Sequence, residues 1–168
     1  MKRLALMTLM AGALLISGCG IFPHPHHDRH LHVKLSGAQE VPANDSYLKG
    51  DFVINLRDRE YLLEVDQTID PRHIARAAHL HCGKVGSNGG VVYGLAVDQN
   101  SWQRVQGRYV VTGIVDDTKF STTVPCPSVP IKNFHELRQA INDGLIYVNV
   151  HTQALPGGEI RAQVVRKH

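Results

Sequence analysis

From residue 31 the chain alternates apolar and polar side chains. Leu31, Val33 and Leu35 are separated by His32 and Lys34, and Phe52, Ile54 and Leu56 repeat the pattern. A period of two marks a strand with one buried face. Further apolar-rich runs cover residues 61–68, 77–82, 91–97, 103–115, 145–152 and 159–165. Turn residues separate them: Asp70-Pro71, Ser87-Asn88-Gly89-Gly90, Asp116-Asp117 and Leu155-Pro156-Gly157-Gly158. Some eight short strands with regular turns predict an all-β, antiparallel sandwich or barrel. One stretch departs from this. Phe134, Leu137, Ala140 and Ile141 recur at helical spacing, with Asn133 as N-cap, Glu136 three residues later and Gly144 beyond the last turn. These signals predict one short crossover helix covering an end of the sandwich. Neither an internal repeat nor a second domain is visible, so residues 31–168 are expected to form one domain.

The segment ahead of the domain has a different character. Met1-Lys2-Arg3 precedes an apolar run over residues 4–16, closed by Ser17-Gly18. A basic start, a dozen apolar residues and a small-residue end predict an export signal over residues 1–18. The run is shorter than the roughly 20 residues of a membrane-spanning helix. Ile16-Ser17-Gly18-Cys19 resembles the lipobox of bacterial lipoproteins. That resemblance implies lipidation of Cys19, which would become the mature N-terminus. Gly20 rather than Asp after the cysteine implies the outer membrane, with the membrane contacted through the lipid. All three methionines, Met1, Met7 and Met10, would leave with the signal.

Composition adds two signals. The 168 residues include eleven histidines, roughly three times the ordinary share. His24, His26, His27, His30 and His32 lie within nine residues, next to prolines that favour extended backbone. This reads as a tether, covering residues 19–30, with weak, non-specific affinity for metals that suit imidazole. The second signal is the odd cysteine count of three. With Cys19 lipidated, Cys82 and Cys126 form a pair expected to be a disulfide in an oxidising compartment. Buried free thiols, or Cys82 as a metal ligand, are the alternatives. The formal charge of +3 has no Lys/Arg cluster behind it, so no nucleic-acid partner is expected. Dinucleotide-binding and P-loop glycine motifs are absent, as is a Gly-x-Ser-x-Gly elbow.

Strand parity singles out one constellation. In residues 77–82, His79 and His81 point to the face opposite Leu80. In residues 147–151, Tyr147, Asn149 and His151 point away from Val148 and Val150. If the two strands are close, His79, His81 and His151 supply three nitrogens to a copper or zinc ion, with Asn149 and Glu159 as supporting partners. The alternative is that these histidines only hydrogen-bond within the fold. A blue-copper site is disfavoured, because no methionine remains after maturation.

Four blocks, in order, carry a wider resemblance: Leu35-Ser36-Gly37-Ala38-Gln39-Glu40-Val41-Pro42, then Ala78-His79-Leu80-His81-Cys82-Gly83 with Asn88-Gly89-Gly90-Val91-Val92, then residues 146–152, then Pro156-Gly157-Gly158-Glu159-Ile160-Arg161. Together they resemble the CHRD domain, named for chordin and frequent in exported bacterial proteins. The resemblance implies an immunoglobulin-like β-sandwich and no particular enzymatic activity. The His-x-His pair with a late histidine is also similar to the copper ligands of Cu/Zn superoxide dismutase, over three residues only. The resulting expectation is a lipid-anchored envelope protein, a non-catalytic module that binds copper or zinc. A metal-free structural sandwich that meets an envelope protein is the alternative, and a superoxide-handling copper protein a further one.

Overall fold

The structure is a computed structural model, and it describes residues 30–166. The export signal, Cys19, His24, His26, His27 and His168 lie outside the described residues. Nine strands form in chain order: β1 (His30–Ser36), β2 (Lys49–Asn55), β3 (Glu60–Asp66), β4 (Ala77–Cys82), β5 (Val91–Ala96), β6 (Gln103–Val105), β7 (Arg108–Ile114), β8 (Ile146–His151) and β9 (Ile160–Gln163). The helix α1 (Phe134–Asn142) lies between β7 and β8.

The strands make a single sheet in the order β5-β4-β8-β9-β1-β2-β3-β7-β6, with every pairing antiparallel. The sheet curls so that β5, at one edge, comes against β3 and the end of β7 near the other. Tyr61 Oη on β3 donates to the Leu95 carbonyl on β5 at 3.1 Å. The Asp116 amide, just past β7, donates to Tyr93 Oη on β5 at 3.0 Å. The result is an all-β, sandwich-like half-barrel, in keeping with the expected class.

The core lies inside the curl. Phe52, Ile54, Leu63, Val65, Leu80, Val148, Val150 and Ile160 are fully buried. Leu31, Val33 and Leu35 point inward from β1 while their neighbours stay in water, as the alternation requires. The helix buries Phe134, Leu137, Ala140 and Ile141, the four residues of the apolar stripe. Asn133 caps it by accepting from the Glu136 amide at 3.0 Å. The Glu136 carboxylate reaches one residue further back than a capping box would, accepting from the Lys132 amide at 2.7 Å.

The run 103–115 is two strands rather than one. Gln106 (φ 46°) and Gly107 (φ 79°) turn the chain between the registered pair Val105 and Arg108. Two left-handed residues in a two-residue loop match the twist of a hairpin, and Gln106 pays a small steric cost that Gly107 does not. Its glutamine hid the turn from a reading that looks for Asn-Gly or Asp-Gly.

Cys82 and Cys126 are joined by a disulfide with their Cα atoms 5.6 Å apart, as expected. It ties the end of β4 to the segment ahead of α1.

Candidate metal centre

The outer face of β4 and β8 carries the candidate centre, because alternation turns away from the core whatever does not face Leu80, Val148 and Val150. The two strands pair directly, with His79 opposite Asn149, His81 opposite Tyr147 and Ala77 opposite His151. On the far side of β8, Asn149 is opposite Arg161 of β9. His79, His81, Tyr147, Asn149, His151 and Arg161 therefore form one polar layer across three strands.

His79, His81 and His151 converge: one ligand nitrogen from each lies within 4.8 Å of the other two. Ring centroids are 4.9 Å apart for His79 and His151, 5.8 Å for His79 and His81, and 5.9 Å for His81 and His151. Nitrogens sharing an ion at about 2.0–2.1 Å are at most about 4.2 Å apart, so binding would draw a pair 4.8 Å apart together by at least about 0.6 Å.

Two of the rings are held in a defined tautomer. His81 Nδ1 donates to the Gly89 carbonyl at 3.0 Å, and His151 Nδ1 donates to the Pro156 carbonyl at 2.9 Å. A carbonyl only accepts, so Nδ1 carries the proton and Nε2 keeps its lone pair. Those two Nε2 atoms, with His79 Nδ1, are buried and have no hydrogen-bond partner among the described residues. Three unpartnered buried nitrogens are costly in a fold unless something else meets them.

The electrostatics keep the lone pairs free. Burial, reinforced by His151 and His81, pushes the His79 imidazole down to about 4. Burial also lowers His81 to about 4, against the opposing pull of the Gly89 carbonyl and with help from His151 and Arg161. His151 is lowered by burial and partly restored by the Pro156 carbonyl. At neutral pH all three rings are uncharged, the form in which imidazole binds a metal.

The orienting groups are backbone carbonyls from the two glycine-rich turns, not the side chains expected from sequence. Asn149 instead donates from Nδ2 to Glu40 Oε1 at 2.5 Å, and its Oδ1 is unpartnered. Glu159 is completely buried and accepts from Ser46 Oγ at 2.6 Å, His73 Nδ1 at 2.6 Å and Thr152 Oγ1. The last β8–β9 pair in register is Val150 with Ile160, so strand parity no longer governs where Glu159 points. His73, to which the sequence assigned no role, is thus part of a buried polar knot. Replacing Glu159→Gln should cost about 2 kcal/mol, because an NH2 group then faces one of three donors; urea unfolding measures it. An unchanged midpoint would show that water replaces the lost bonds.

Several residues that shape the centre left little trace in the sequence. Gly89 is tight enough that a Cβ there would lie 1.5 Å from the Cys82 carbonyl oxygen, so only glycine brings its own carbonyl to His81. Tyr147 stacks on His81 with ring centroids 4.8 Å apart and planes 10° from parallel. Its hydroxyl donates to the Gly89 carbonyl at 3.2 Å and accepts from the Gly89 amide at 3.1 Å. Glu40 is pushed up to about 7 by burial, against the pull of Arg161 and Asn149. The motif blocks contained all of these residues, but not their roles. His30 and His32 of the histidine tract sit on the exposed side of β1, where His32 meets Asp51 at 2.8 Å, and neither joins the cluster.

The model of the CHRD domain family matches residues 31–164, nearly all of the described chain. No curated protein and no solved structure matches the chain. The chain belongs to the CHRD family.

Proposed function

We propose that this CHRD-domain protein is a non-catalytic metal-binding module of the cell envelope, holding copper or zinc through His79, His81 and His151. The observation that carries the reading is the set of three buried nitrogens, His79 Nδ1, His81 Nε2 and His151 Nε2, that have no partner among the described residues. Their neutral state, and the carbonyls that orient two of them, support the same reading. Three imidazoles suit both copper and zinc. In this reading Cys19 carries the lipid that anchors the domain, by its resemblance to a lipobox, and the outer membrane is the site of action. The histidines ahead of the domain gather metal weakly near that surface.

The test is calorimetric titration of the chelator-stripped domain with Zn(II), and with Cu(I) without oxygen. The parent should bind one equivalent, and the His79→Ala/His151→Ala variant should lose at least a hundredfold in affinity, since one neutral ligand remains. Equal stoichiometric binding by that variant would place the metal elsewhere. A parent that binds neither ion, with no change in Tm when metal is added, would leave the structural sandwich as the correct reading.

A further inference from the structure

Arg161 is 2% exposed, an unusual burial for a cation beside three uncharged ligands. Its guanidinium carbon lies 3.4 Å from the centre of the Tyr147 ring, and Tyr147 stacks on His81. The three residues come from the successive strands β4, β8 and β9. That 3.4 Å, with the Tyr147 and His81 ring centres 4.8 Å apart, puts the positive charge no more than about 8 Å from the centre of the His81 imidazole.

The charge is held in place by neutral groups. Nη2 donates to the Ser87 carbonyl at 2.9 Å and the Lys84 carbonyl at 3.4 Å, and Nη1 donates to Asn88 Oδ1 at 3.2 Å. Glu40 acts on Arg161 through space, but its own short hydrogen bond is to Asn149. Arg161 thus both fastens the loop whose Gly89 carbonyl orients His81 and places a fixed cation behind that ligand.

From this geometry we propose that Arg161 is the specificity-determining residue of the centre, tilting it from divalent ions towards monovalent copper. The inference rests on the three-histidine reading above. The donor set brings no negative charge, and the Glu40 carboxyl offsets part, not all, of the Arg161 field that an entering ion meets. A divalent ion meets twice the repulsion of a monovalent one. At roughly 8–10 Å and an effective dielectric of about 20, one extra unit of charge costs at least about a tenfold factor in affinity.

The experiment compares Zn(II) and Cu(I) affinities of the full chain by competition with colorimetric chelators, without oxygen for Cu(I). Three variants separate charge from geometry. Arg161→Met removes the cation but keeps a side chain to lie on Tyr147. Asn88→Asp leaves the arginine in place and sets a carboxylate against it, on an exposed loop residue. Arg161→Lys keeps the charge and loses the fork of hydrogen bonds. Arg161→Met and Asn88→Asp should each raise the ratio of Zn(II) to Cu(I) affinity about tenfold, and Arg161→Lys should hold the parental ratio even if both affinities fall. If Arg161→Met does not fold, Asn88→Asp carries the comparison alone. A ratio within threefold of the parent in the charge variants, or an Arg161→Lys ratio that follows Arg161→Met, overturns the proposal while leaving the metal site intact. A parent that binds neither ion removes the site itself, a distinct result.

Discussion

Metal-free protein should lose stability as the pH falls from about 7 towards 4. The unfolded chain takes up protons on His79, His81 and His151 near pH 6.5, whereas the fold holds His79 and His81 down to about 4 and lowers His151 as well. The unfolded state therefore binds more protons across that window, and acidification favours it. For His81, which is nearly inaccessible to solvent, the full shift corresponds to about 3 kcal/mol. Glu40 works in the opposite direction. Its carboxyl is held up at about 7, so the fold takes up that proton first, and lowering the pH from 7 to 4.5 gains stability. Three imidazoles against one carboxyl leave a net loss. Urea midpoints at pH 7.5 and 4.5, with chelator present, should fall in the parent, fall less in His81→Gln and fall more in Glu40→Gln. A His81→Gln profile superimposed on the parent's would mean that His81 is not held neutral by the fold.

Removing the disulfide is expected to be the other large effect. Cys82 follows His81 of the candidate centre directly, and its partner lies 44 residues on. By the loop-entropy model, opening a loop of that size costs about 4 kcal/mol. Local packing adds to this: Gly90 leaves room for Val124, whose side chain would be 2.6 Å from a Cβ at that glycine. The Cys126 amide donates to the Val129 carbonyl at 2.7 Å, closing the segment on itself. A Cys82→Ala/Cys126→Ala variant should melt about 10–15 °C below the parent. A shift of only one or two degrees would show that packing at Gly90 and Val124 already holds the segment.

Much of the fold was legible along the chain, for reasons tied to particular residues. Leu31, Val33 and Leu35 fixed the inward face of β1, because a strand's side chains alternate whatever surrounds it. Asn133, Glu136 and Gly144 marked the helix, because capping is a local transaction between neighbours. Where the local signal was weak the reading failed, as at Gln106-Gly107, whose turn differs from a strand only by two backbone angles. The same parity put His79, His81 and His151 on outward faces.

Whether those faces belonged together was not a local matter. The pairing of β4 with β8 brings residue 79 beside residue 149 across some seventy residues of chain, and no periodicity encodes such a neighbour. The orienting groups were hidden for a related reason. Every residue has a carbonyl, so nothing in the letters distinguishes those of Gly89 and Pro156 until the turns bring them to an imidazole. Glu159 looked like a partner of the site because it is a carboxylate close in sequence, yet the end of strand register let it turn to His73, Ser46 and Thr152. Which side chains face inward, where the helix begins and which histidines face out could be read along the chain, because these depend on neighbours a few residues away. Which histidines meet, what holds their tautomers and that a buried arginine lies behind them emerge with the folded sheet alone, because these depend on which strands it sets side by side.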